Sequence, residues 1–248
     1  WIKEELSDFD ITCLVVGSEG QKTREMVIET GNEYLEFENL PLSKKWDAGL
    51  QKTVEFDPDA VIILGSDDFV SPKTFTKLID EISKGKLFSG LMDMQILDLD
   101  RTEMYHWHGY SFSSPYRRWE TIGMARCISR KLLDKVDFSL WGEERINKGL
   151  DGLMTRKLAS LGLIPLPNGQ ELWISLDDGN YQFGHSGIRI SDFNGLAVDV
   201  KSDQNITPLK SYGVTEFEKI RNPEDLLNSE LVRDITAQIL AGGNSHEV

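Results

Sequence analysis

Three features of the sequence predict an α/β fold in which a mixed, mainly parallel sheet is flanked by helices. Apolar runs of strand length alternate with segments of helical periodicity from Ile2 to Ile82. The strongest run, Ala60-Val61-Ile62-Ile63-Leu64, is apolar at every position, the pattern of a strand covered on both faces. It leads directly into Gly65-Ser66-Asp67-Asp68, polar residues at the C-terminal end of the strand, where a parallel sheet opens its ligand crevice. An antiparallel hairpin and a C-terminal helical extension complete the prediction.

The elements follow in order. Ile2, Leu6 and Phe9 have helical spacing, and Ile11 to Val16 is a short apolar run ending at Gly17, read as a buried parallel strand. Ser43, after Pro41, caps a predicted helix over Lys44 to Val54 with Trp46, Leu50 and Val54 on one face, and Asp57-Pro58-Asp59 breaks it. Ser71-Pro72 opens the next helix, whose core positions are Phe75, Leu78, Ile79 and Ile82. Leu87 to Leu99 and Glu103 to Phe112 are strand-like around the turn Asp98-Leu99-Asp100-Arg101, which predicts the hairpin. Ile122 to Ile128 reads as a further strand, and Ser129 to Leu133 as the start of a short helix. A longer helix spans Leu150 to Leu161, with Leu150, Leu153, Met154, Leu158 and Leu161 on its apolar side and Gly162 ending it. Loops and short strands are expected beyond it. Pro223 to Leu240 then forms an amphipathic helix bearing Leu226, Leu227, Leu231, Ile235 and Ile239.

The 248 residues carry 27 Lys and Arg against 41 Asp and Glu, a formal charge of −14. With 40% hydrophobic and 27% charged residues the chain is globular in composition, which excludes the disordered, collagenous and repeat classes. The negative field, with no Lys/Arg run longer than a pair, argues against nucleic acid as a principal partner. The apolar runs fall far short of the roughly 20 residues of a membrane span, so none is expected. Cys13 and Cys127 lie in apolar strand-like segments, which suits reduced core thiols and a cytoplasmic setting. The sequence opens at Trp1, without Met and directly in a helical pattern, which suggests that a segment precedes it.

Adjacent carboxylates at the end of an apolar strand repel one another unless a cation or solvent offsets them. A hard divalent cation, which takes one or two carboxylates together with phosphate oxygens, fits Asp67 and Asp68. The alternative is that Asp67 caps the helix that follows.

The run Val61-Ile62-Ile63-Leu64-Gly65-Ser66-Asp67-Asp68-Phe69-Val70-Ser71-Pro72 resembles the Asp-x-Asp segment of family-2-like glycosyltransferases with the GT-A fold. Other segments are similar to that family in serial order. Ile11 to Gly17 with Ser18-Glu19 resembles its second strand, and Ser43-Lys44-Lys45-Trp46-Asp47-Ala48-Gly49 the helix start before the motif. Ile122-Gly123-Met124-Ala125-Arg126 resembles the strand near the acceptor site, and Asp151, Met154, Lys157, Leu158 and Gly162 the helix that begins with the catalytic Asp. On this reading residues 1–204 are the core and 205–248 an extension that packs on it or docks a neighbouring domain or second subunit.

The resemblance implies a glycosyltransferase that moves a sugar from a nucleotide-diphosphate sugar to a glycan or glycoconjugate acceptor, with inversion and with Mn²⁺ or Mg²⁺. Asp67 and Asp68 would hold the metal, with His185 as a late ligand. Ser18, Glu19, Lys44, Lys45, Ser66 and Asp67 would contact the donor. Asp151 would take the acceptor proton, with Glu143 or Glu144 as alternatives from the loop before its helix. His106 and His108 share a face of a predicted strand, either as two zinc ligands without an evident third or, with Tyr105, Trp107 and Tyr110, as an acceptor-side wall; core packing by Trp107 is the plain alternative. Arg117-Arg118 is a further basic pair that either reaches a diphosphate or is solvated. Two departures stand out: Gly65 occupies the position of the family's first Asp, and the family's first strand would lie upstream of Trp1. They leave open a catalytically silent GT-A-like module for assembly or carbohydrate binding, and a sugar-phosphate nucleotidyltransferase remains the rival enzyme.

Overall fold

The computed structural model describes residues 2–101, 103–110, 120–162, 174–175, 181–182, 185–202 and 217–220, the side chains of 174–175, 181–182 and 185 excepted. The helices are α1 (Ile2–Glu5), α2 (Gln21–Glu29), α3 (Leu42–Lys52), α4 (Pro72–Ser83), α5 (Arg130–Lys135) and α6 (Leu150–Ser160). The strands are β1 (Leu14–Gly17), β2 (Glu33–Glu36), β3 (Ala60–Ile63), β4 (Asp68–Val70), β5 (Phe88–Leu91), β6 (Met94–Asp98) and β7 (Glu103–Trp107). They continue with β8 (Arg126–Ser129), β9 (Ile174–Ser175), β10 (Tyr181–Gln182), β11 (His185–Ile188), β12 (Ala197–Lys201) and β13 (Phe217–Lys219). The α/β class and the β6–β7 hairpin agree with the sequence. The helix expected over Pro223 to Leu240, the boundary at residues 204 and 205, and Arg117-Arg118 lie outside the described residues.

The sheets are mixed, as expected, but among the described residues most strand pairs are antiparallel, so they are not mainly parallel. One has the order β11-β5-β8-β3, a second β13-β7-β6-β12-β4, and β1-β2 and β9-β10 form separate pairs. Only β1 with β2, β5 with β11 and β6 with β12 run parallel among the described residues; β3 and β5 both pair with β8 antiparallel. An apolar run reads the same in either direction once both faces are covered, so composition does not fix strand polarity. Ala60–Ile63 is half-buried at the edge of its sheet, not the fully buried strand expected.

Both faces of the four-stranded sheet are covered by core. Alternate residues of β3 divide between two clusters, Val61 and Ile63 toward one, Ala60 and Ile62 toward the other, and β8 does the same with Ile128 and Cys127. The first cluster adds Leu132 and Leu133 of α5, Met154 and Leu158 of α6, and Trp141; the second adds Phe75 and Leu78 of α4. Helix α4 starts as its sequence requires, with Pro72 in its first turn and the Ser71 hydroxyl accepting from the Thr74 amide.

Other local expectations shift. Helix α2 and strand β2 were not anticipated: Met26, Val27 and Ile28 are consecutive, so α2 carries no amphipathic stripe and buries no residue. The strand expected over Ile122 to Ile128 begins only at Arg126, because Ala125 adopts a left-handed φ of 54°. Ser43 does not cap α3. It is buried, and its hydroxyl donates to the Glu144 carbonyl (2.7 Å) and accepts from the Ile146 amide (3.1 Å).

Ser43 belongs to a seam between α3 and the 139–147 loop that leads into α6. Asp47, buried on α3, accepts from the Leu140 and Trp141 amides (2.8 and 3.2 Å) and from the Ser139 hydroxyl (2.8 Å). Replacing it strands two buried donors, so Asp47→Ala is expected to lower stability in urea by about 3 kcal/mol. A loss below about 0.5 kcal/mol, the scale of an ordinary surface change, would show that the seam is not structural.

Candidate functional site

Where β3 ends, the chain turns tightly. The Gly65 amide donates to Asp68 Oδ2 (2.6 Å), and its carbonyl accepts from the Asp68 amide (3.3 Å). Strand β4 then pairs antiparallel with β12, with Asp68 directly opposite Asp199. The Val200 amide donates to the Asp67 carbonyl (2.9 Å). Carboxylate oxygens of Asp67, Asp68 and Asp199 consequently lie within 4.8 Å of one another. Like charges directly across a strand pair are unfavourable. Lys201, two residues along β12 from Asp199 and itself buried, offsets part of that charge: its Nζ is 2.8 Å from Asp199 and 3.8 Å from Asp67.

The offset is incomplete. Burial, and then the neighbouring Asp199 and Asp67 charges, push the Asp68 carboxyl up to about 7 against the opposing Gly65 hydrogen bond. Burial likewise raises Asp199 to about 6, although Lys201 works the other way. Asp199 Oδ1 is buried without a hydrogen-bond partner. Three carboxylates around one ammonium form an all-oxygen donor set with surplus negative charge, which fits a hard divalent cation such as Mg²⁺ or Mn²⁺. Asp67 is not a helix cap, since Ser71 fills that position on α4.

Asp151 lies in the first turn of α6, where Arg126 Nη2 pairs with its Oδ1 and the Tyr110 hydroxyl donates to its Oδ2 (2.6 Å). Arg126 is fully buried, while 22% of the Asp151 side chain is exposed. Glu143 and Glu144 are solvent-exposed, with Glu143 3.3 Å from Lys44 Nζ. Lys44 is committed to the same loop, donating to the Gly142 carbonyl (2.7 Å), and Lys45 donates to Asn39 Oδ1 (3.0 Å). Ser18 and Glu19 close a local turn after β1, in which hydrogen bonds from Ser18 outweigh burial and hold the Glu19 carboxyl below its ordinary range. Ser66 is exposed in the turn beside Asp67. His185 opens β11 opposite Phe88, and its side chain lies outside the described residues.

A second polar group sits on the hairpin. Asp93, buried between β5 and β6, accepts from the Ile190 amide (2.7 Å), the Ser191 hydroxyl (3.0 Å) and His106 Nε2 (2.9 Å). Burial pushes its carboxyl up, and those three donors outweigh burial and leave it below its ordinary value. Trp107 is core, packed edge-on against Tyr110 at 5.0 Å, as the plain reading of that segment had it.

No family model matches the chain, and no curated protein matches it. No helix among the described residues is long and apolar enough to cross a membrane. Asp199 and Lys201 were missed because nothing local to Ala197-Val198-Asp199-Val200-Lys201 points to β4. Their one signal was the alternation of charge within an otherwise apolar strand.

The raised Asp68 carboxyl has a consequence for stability. Unfolded, it ionises near 3.8; folded, near 7. Between those values the folded state binds the extra proton, so its contribution falls as pH rises through the window, by on the order of 3 kcal/mol, and is unpenalised below it. In EDTA, Asp68→Asn is expected to flatten the pH 4 to 7 stability profile relative to the parent and to be the more stable protein at pH 8. Parallel profiles for the two proteins would show that Asp68 titrates normally.

Proposed function

We propose that the chain is a GT-A-like glycosyltransferase that moves a sugar from a nucleotide-diphosphate sugar to a carbohydrate-type acceptor, with Mn²⁺ or Mg²⁺ held by Asp67, Asp68 and Asp199. The observation that carries the reading is the convergence of those carboxylates within 4.8 Å at the end of β3, in the segment whose residue order resembles the family's Asp-x-Asp loop. When bound, the divalent ion supplies positive charge for the departing diphosphate. Lys201 holds a fixed cation beside the same carboxylates, pre-positioned by β12. Asp151 is the base: its two oxygens are fixed by Arg126 and Tyr110, so its position is set before the acceptor arrives. The acceptor hydroxyl passes its proton to Asp151 as its oxygen bonds the anomeric carbon, and the nucleotide diphosphate leaves with the electron pair of the broken bond.

One observation favours the silent module instead. Lys201 already stands as a cation among the carboxylates, so the cluster is partly neutralised without a metal.

A thermal-shift series with UDP, GDP, CDP and dTDP and their sugars separates the two. One nucleotide is expected to stabilise the protein with Mn²⁺ but not with EDTA, by about 2.7 kcal/mol at a hundred times Kd. Asp199→Asn should abolish that shift. A flat response from folded protein favours the silent module. With the donor identified, Asp151→Asn is expected to cut transfer at least about a thousandfold while donor binding is kept. Its unfolding temperature must be followed in parallel, because the substitution leaves the buried Arg126 charge uncompensated. Retained turnover would remove Asp151 from the base role.

A further inference from the structure

The geometry points to a second metal site, of zinc class, formed by His106, His108 and Glu218 where β7 meets β13. His106 and His108 are two residues apart and share a face. In the antiparallel pairing of β13 with β7, Glu218 lies directly opposite His106. The two imidazoles are 4.5 Å apart between ring centroids, Glu218 Oε2 is 3.8 Å from His108 Nε2, and one donor atom from each of the three residues lies within 4.8 Å of the others. Donors around a tetrahedral zinc are about 3.3 Å apart, so a modest closure completes the set. Glu218, with its side chain 74% exposed, has the freedom to make it.

A second, independent feature supports the assignment. His106 donates its Nε2–H to the buried Asp93, whose carboxylate is fixed in turn by Ile190 and Ser191. A carboxylate behind a histidine fixes its tautomer and raises the basicity of the other ring nitrogen, the arrangement that accompanies metal-bound histidines. Here it leaves Nδ1 of His106 as the donor. His106 and Glu218 also line a cavity of about 450 Å³ beside Ser191, Asn194 and Lys219, which gives an ion bound there an open side. Two imidazoles and a carboxylate suit Zn²⁺, Co²⁺ or Ni²⁺, whereas the all-carboxylate group at Asp67 suits Mg²⁺ or Mn²⁺, so the two sites differ in the metal they select. Bound at this junction, the ion would clasp the three-residue edge strand β13 to the hairpin.

The test uses the full chain, stripped with EDTA and titrated with Co²⁺, whose visible absorption reports nitrogen ligation. One equivalent is expected to bind with visible bands. Glu218→Gln should weaken binding at least tenfold, His108→Ala about a hundredfold, and Asp93→Asn between about ten- and a hundredfold. Asp67→Asn and Asp199→Asn should leave the bands unchanged, which separates this site from the nucleotide site. Zn²⁺ should raise the unfolding temperature of the parent by more than that of Glu218→Gln, a substitution at an exposed position, at the same concentration. Absent bands, bands indifferent to Glu218→Gln and His108→Ala, or bands lost in Asp199→Asn would each overturn the assignment.

Discussion

Arg126 carries a positive charge into the buried interior. It opens β8, between two hydrophobic clusters, and no part of its surface is exposed. A guanidinium in that setting is tolerable only when paired, and the cost of leaving it alone exceeds that of most single contacts in a domain. Asp151 is the partner, so the start of α6 has to come to β8, and Tyr110 is held to the same carboxylate. Gly123 is the local concession to this contact: a Cβ there would lie 3.3 Å from Asp151 Oδ1. The other side of the approach is held by α3, whose Asp47 and Ser43 stitch down the loop that delivers α6.

The described acidic groups divide by how their charge is met. Asp151 has Arg126 and a phenol; Asp93 has three donors; Asp47 has two amides and a hydroxyl. In all three those contacts fix the carboxylate in position, and Asp47 and Asp93 read as structure. Asp67, Asp68 and Asp199 share one ammonium, and two of the three carboxyls are pushed up by burial and mutual repulsion. Native proteins keep such an imbalance where a ligand relieves it, which is why this cluster, and not Asp47 or Asp93, is the candidate for binding.

What was legible in the sequence was local. Ser71-Pro72 and Ser129 capped the helices they announced, the apolar spacing gave α6 to within a residue, and the Asp98 to Arg101 turn gave the hairpin. Polarity and partnership of the strands were not legible, because they are set by long-range pairing. Asp199 meets Asp68 only through the register of β12 on β4, and Glu218 meets His106 only through β13 on β7. Lys44 and Lys45 show how long-range contacts add to a local pattern. A basic pair at a helix start reads as an anion site, and in the fold each ammonium also donates to a neighbour, Lys44 to a carbonyl of the facing loop and Lys45 to an asparagine.

Glycine at position 65 has a steric cause in the fold. A Cβ at that position would stand 2.8 Å from Asp67 Oδ1 and 3.0 Å from Asp68 Oδ2, and its amide is the donor that holds Asp68. A side chain there, and a carboxylate above all, would push the Asp67 and Asp68 carboxylates aside. The third carboxylate of the cluster comes from β12, across the strand pair, on an element that also carries Lys201. The acidic group is therefore assembled from one tight turn and one distant strand. Its geometry depends on glycine at 65 as directly as on the aspartates themselves.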